Sequence, residues 1–186
     1  MESDVAMTVP LKNGSDHGKK RLEPAELLII GFGNPCRSDD RMGWLTARWL
    51  QRRYGNLLSR SGIRILAEVQ LLPEHAADVL LARQVLFIDC AFHIEPPFQL
   101  QSIEAASASP WTQHGWTPSH IMTLAENMSA STPERAPQAH GLWIRGETMT
   151  ITNSMSASAR FNLHCAWKWL EQYLAANFHG KRMTHD

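Results

Sequence analysis

Two adjacent aspartates, Asp39 and Asp40, follow the stretch "GFGNPCRS" and open a segment with helical apolar spacing. A third carboxylate, Asp89, comes directly after the apolar residues Val85, Leu86, Phe87 and Ile88. Burying a carboxylate there without a partner is costly. Asp39 suits the first turn of a helix, where an acid caps free N–H groups and meets the positive end of the dipole. Asp40, one position on, can point elsewhere. For Asp89 the local alternative is a hydrogen bond from a loop amide. In an open α/β sheet, ligands gather outside the carboxyl ends of the strands, where the strand order reverses. With an order 2-1-3, Asp40 and Asp89 face one crevice. Two close carboxylates repel, and a divalent cation relieves the repulsion. His93, His114 and His120 are the candidate third ligands. His120, in "TPSHIMTLAE", stands at a helix start after a long loop, a place from which a ring can be aimed at the crevice. Two carboxylates and an imidazole suit zinc, nickel or manganese.

The glycines before the aspartates raise a rival reading, a nucleotide-binding Rossmann protein, and the residues around them argue against it. A dinucleotide fingerprint needs G-x-G-x-x-G opening directly into a helix. Here Cys36 holds the third glycine position, and two carboxylates occupy the turn where a pyrophosphate would seek positive charge. No G-K-[ST] follows, so the loop is no Walker A either. Gly31 and Gly33 are expected to turn the chain sharply at the strand end, Asn34 to bond local backbone, and Pro35 to stiffen the exit.

These residues need a scaffold, and 186 residues suffice for one α/β domain with a core but would be cramped as two. The 18 basic and 18 acidic residues cancel, so no whole-chain field favours nucleic acid or an anionic membrane. Three cysteines without a C-x-x-C argue against a disulfide framework. No secretory signal or membrane-length apolar run is visible, and a cytoplasmic location is expected.

Residues 1–24 are polar and aperiodic and read as a flexible N-terminal extension. A single domain is expected over residues 25–180, with a tail at 181–186. Its strands are "ELLIIGFG", "IRILAEVQ", "QVLFIDCAF", the more exposed "FQLQSIEA", and "LWIRGETMTI". Helices are expected in "DDRMGWLTARWLQRRYG", ending at Tyr54-Gly55; in "PEHAADVLLA", with Pro73 in its first turn; in "SHIMTLAENMSA", with Ser119 as N-cap; and from Ala157 to Ala176. In the last, Leu163, Trp167, Leu170 and Leu174 form one stripe. The alternation predicts a three-layer α/β/α sandwich around a mostly parallel five-stranded sheet.

At "GFGNPCRSDDRMG", "FIDC" and "TPSH" the chain resembles the hydrogenase maturation proteases, which trim the large subunit of [NiFe] hydrogenases. The resemblance covers about residues 26 to 178. It implies that Asp40, Asp89 and His120 meet the nickel that the substrate precursor carries, with another divalent metal possible in the isolated protein. Substrate contact is expected at Gly33, Asn34 and Arg41 in the same loop. "VQLLPEHAADVL" looks like a family variant and places Glu74 at its centre. Arg41 departs from the family's usual glycine, and Cys36 from its usual leucine.

The implied activity is an endopeptidase that removes a C-terminal extension from the hydrogenase large-subunit precursor after nickel insertion. Water activated by a metal, or by Asp39 or Asp40 as an aspartic-type general base, are the two routes to the cut. No base is evidently paired with Cys36 as a nucleophile. The rival is a nickel-sensing assembly chaperone that binds the precursor without cutting it.

Overall fold

The computed structural model describes residues 24–105, 115–129 and 137–178. The expected extension (up to Pro24), the tail at 181–186 and His114 therefore fall outside the described residues, save Pro24 itself.

Five strands form one sheet in the order β2-β1-β3-β5-β4. β1 (Leu27–Phe32) lies between β2 (Ile63–Glu68) and β3 (Gln84–Ala91), and β3 pairs with β5 (Gln138–Arg145); these pairings are parallel. β4 (Phe98–Ile103) closes one edge antiparallel to β5. β1 is buried along its whole length, as its unbroken apolar run requires when both faces are covered.

The two faces have separate cores. Leu27, Ile29, Leu86, Ile88, Leu142 and Ile144 point toward the side covered by α1 (Met42–Arg60) and α4 (Ala157–Asn177). Leu28, Ile30, Val85 and Phe87 point toward α2 (His75–Leu80) and α3 (Pro118–Ser129). The architecture is thus the expected three-layer sandwich. Leu163, Leu170 and Leu174 of α4 are buried, and the partly buried Trp167 stacks on Trp49 of α1 with ring centroids 4.6 Å apart. No helix among the described residues is long and apolar enough to cross a membrane.

Several element boundaries differ from expectation. α1 continues through Gly55 to Arg60. A glycine in a helix costs about 1 kcal/mol, and the turn it permits buries Leu58 to 2% exposure, worth about 2 kcal/mol. The helix ends instead at Ser61-Gly62, where Gly62 takes φ +74°. α3 begins at Pro118, so Ser119 lies inside it and is not its cap. β5 begins at Gln138, inside the expected loop, and stops at Arg145 rather than Ile151. Its early residues, Ala139 and Gly141, are too small to announce a strand.

Candidate functional site

The site is built at the carboxyl ends of β1 and β3. Gly33 leaves β1 with φ +133°, a conformation that L side chains rarely adopt. A Cβ there would overlap the carbonyl oxygen of Asp40 and come 3.5 Å from Oδ1 of Asp89. The missing side chain therefore sets the spacing between the two acids. Asn34 N–H donates to Asp40 Oδ2 at 3.1 Å, while the Asn34 side-chain oxygen accepts from Cys36 N–H at 2.9 Å. Gly31 has another duty. It lies in β1 and makes no turn; a Cβ there would strike the Gly43 carbonyl of α1, so the residue allows the helix to approach the sheet.

Asp89 is partly buried and accepts from Cys90 N–H at 2.7 Å. Burial foremost, and the Asp40 charge in addition, hold its carboxyl well above the ordinary range against that hydrogen bond. The two acids thus feel each other, as the 2-1-3 order of β2, β1 and β3 requires.

Asp39 does something different from what its position suggested. It is fully buried in the 3₁₀ turn Ser38–Arg41 and caps neither that turn nor α1. Its carboxylate reaches across to the segment after β5. Oδ2 accepts from Glu147 N–H at 2.9 Å, Thr148 N–H at 3.1 Å and the Ser156 hydroxyl at 2.9 Å; Oδ1 accepts from Ser156 N–H at 2.8 Å. Burial would raise its pKa, but these bonds together outweigh burial and hold the carboxyl below its usual value. An acid so enclosed is an anchor, and its geometry does not favour the general-base role expected for it.

Arg41 is also tied to this segment. It donates to the carbonyls of Ser38 at 3.1 Å, Asn153 at 3.3 Å and Thr152 at 2.8 Å. The guanidinium expected to touch substrate is committed to backbone oxygens. Cys36 is exposed. Glu74 stands at the N-cap of α2 without a side-chain capping bond.

His120 forms a reciprocal cap at the start of α3. Its N–H donates to Thr117 Oγ1 at 3.3 Å, and Thr117 N–H donates back to the ring Nδ1 at 3.3 Å. Pro118 sits between them at the first helical position. This is a capping box with histidine in place of the usual Glu or Gln. Trp116 meets the ring edge-on. Thr117, Pro118 and Ser119 line a cavity of about 990 Å³ that also takes in Asp89, Phe32 and Trp143. His120 flanks the cavity that contains Asp89, but among the described residues no group of three His, Cys, Asp or Glu side chains closes around a point where a metal ion could sit. Asp40 and Asp89 adjoin; the expected trio is not assembled. The oxygen pair by itself suits a divalent cation, since a cation would offset the cost of burying Asp89 beside Asp40.

No protein-family model matches the sequence, and no curated protein does. Solved structures do. The [NiFe] hydrogenase maturation protease HycI from Thermococcus kodakarensis KOD1 superposes with a TM-score of 0.61 at 14% identity, covering 82% of this chain and 94% of its own. The fold is that of the hydrogenase maturation proteases. The maturating endopeptidase HybD from E. coli superposes at 0.56 and 16% identity, over 81% and 93% of the two chains. A hydrogenase 2 maturation peptidase from a Thaumarchaeota archaeon superposes at 0.55 and 15%, over 80% and 97%. Within this maturation-protease fold, Gly33, Asp40 and Asp89 occupy the carboxyl edge of the sheet. Thr117, Ser156 and Trp143 join the site in the structure without standing out in the sequence. Thr117 was legible as the Thr of a T-P-x-x helix start; Ser156 and Trp143 matter only through partners distant in the chain.

Proposed function

We propose that this chain is a processing endopeptidase of hydrogenase maturation, acting in the cytoplasm on the [NiFe] hydrogenase large-subunit precursor. The observation that carries the reading is the Asp40–Asp89 pair, held across Gly33 at the carboxyl edge of a sheet whose fold is that of such proteases. Nickel already seated in the precursor is the substrate's own group. The two carboxyl groups present oxygen donors to it, while the precursor's thiolates supply soft ligands and favour nickel over magnesium or calcium. His120 directly follows Ser119, the last α3 residue lining Asp89's cavity, and its Nε2 makes neither capping bond. It is the third group offered to the metal once the precursor is engaged. Of the two adjacent acids we assign the activation of water to Asp40; the enclosure of Asp39 supports that choice.

The experiment is a cleavage assay on nickel-free and nickel-loaded precursor, read by mass spectrometry. A C-terminal mass loss from the loaded form alone is expected. Equal cutting of both forms defeats recognition through the metal. Binding of the loaded precursor with no cutting turns the reading into that of an assembly chaperone.

A further inference from the structure

The cavity beside Asp89 has a shape that the acids do not use. Asp89 of β3 and Trp143 of β5 are register partners, so they share one face and one level of the sheet. From there the cavity runs down β5 and β4 as far as Ile103, which pairs with Ala139, and on to Glu104 and Ala105. Between the Trp143 and Ala139 levels lie four strand steps, roughly 13 Å at about 3.3 Å each. Side chains alternate along a strand, yet both Gln101 and Ser102 line the cavity. It therefore laps the rim of the edge strand as well as its face.

The floor is specific. Gly141 leaves room for the Trp143 indole to lie over the strand; a Cβ on Gly141 would enter that ring. The indole N–H donates to Gln101 Oε1 at 3.2 Å, which tethers the ring to β4. Trp116 and Thr117, at the start of α3, form the opposite wall. The result is a trough with an aromatic floor and polar margins, aligned with the strands, whose upper end is Asp89.

We propose that this trough holds an extended peptide of the protein substrate, main chain along β4 and side chains against Trp143, leading to the acids. A strand-aligned trough some four residues long fits an extended chain better than a compact small molecule. The neutral polar side chains on its margin, Gln101 and Ser102, can bond peptide groups whatever the peptide's own side chains. The proposal rests on the peptidase reading and names the subsite that reading requires.

The probe is a fluorescently labelled synthetic peptide carrying the C-terminal processing sequence of a [NiFe] hydrogenase large subunit, followed by polarisation and by hydrogen exchange on the whole protein. Saturable binding is expected, with slowed exchange in residues 101–104 and 116–119. Trp143→Ala should weaken binding at least about tenfold, as loss of an aromatic anchor does. Gln101→Arg, on the exposed edge, should weaken it without touching the core, and Tyr54→Phe on the far face should leave it unchanged. No binding by the wild-type protein, binding that protects neither stretch, or unchanged affinity in both trough variants overturns the proposal. If Trp143→Ala still processes loaded precursor normally, the trough is wrong while the peptidase reading stands. If the peptide occupies the trough but no precursor is ever cut, the peptidase reading falls and the trough remains.

Discussion

Asp39 and Ser156 are joined twice: the serine N–H donates to Oδ1 at 2.8 Å and its hydroxyl to Oδ2 at 2.9 Å. The same hydroxyl oxygen accepts from Ala159 N–H at 3.1 Å and so caps α4. One carboxylate thus fixes the turn that bears Asp40, the segment leaving β5 and the first turn of the last helix. This explains why β5 ends at Arg145: the amides of Glu147 and Thr148 bond to Asp39 rather than to a neighbouring strand.

Asp39→Ala should therefore cost much more than the ~1 kcal/mol of a lost helix cap. It leaves three buried or half-buried amides without their acceptor, at about 1 kcal/mol or more each. A loss of about 3 kcal/mol or more is expected in urea unfolding, where a loss near 1 kcal/mol would show that Asp39 is no anchor.

Asp39 and Asp89 should have opposite effects on the pH dependence of stability. The folded pKa of Asp39 is depressed, so its contribution is present above the unfolded value of 3.8 and is lost as pH falls through the folded value. The folded pKa of Asp89 is raised, so its contribution is present below 3.8 and is lost as pH rises toward the folded value. Asp89→Asn should accordingly raise the metal-free Tm at neutral pH, while Asp39→Asn should lower it. Thermal unfolding from pH 3 to pH 8 checks both signs.

Gly33→Ala should displace the acid pair. The added methyl group meets the Asp40 carbonyl, and φ +133° is strained for alanine. Processing of the loaded precursor should be lost and Tm lowered. Asp40→Asn, which keeps an acceptor for Asn34 N–H, should abolish processing with little change in Tm. Calorimetry on both variants separates a spacing defect from a chemical one.

Thr117→Ala should remove the cap of α3 at a cost of about 1 kcal/mol and release the His120 ring. Thr117→Ser should restore both. An α3 whose amide exchange is unchanged in Thr117→Ala would rule out the reciprocal cap.

The sequence by itself determined the layers, the five strands and the position of the acids. Unbroken apolar runs such as Leu27–Ile30 and Val85–Ile88 have one stable use, a strand buried on both faces, and Gly33, Asp40 and Asp89 follow from where those runs end. Local pattern could not assign Asp39. Its sequence neighbours make it look like a cap, but its partners Glu147, Thr148 and Ser156 are more than a hundred residues away. Nor could it show that Gly141 exists to seat Trp143, or that Arg41 serves the carbonyls of Thr152 and Asn153. A buried polar group must find partners wherever the chain brings them, and a void must be filled by whichever side chain can reach it. Both depend on long-range packing that periodicity does not encode, so only the tertiary structure decided them.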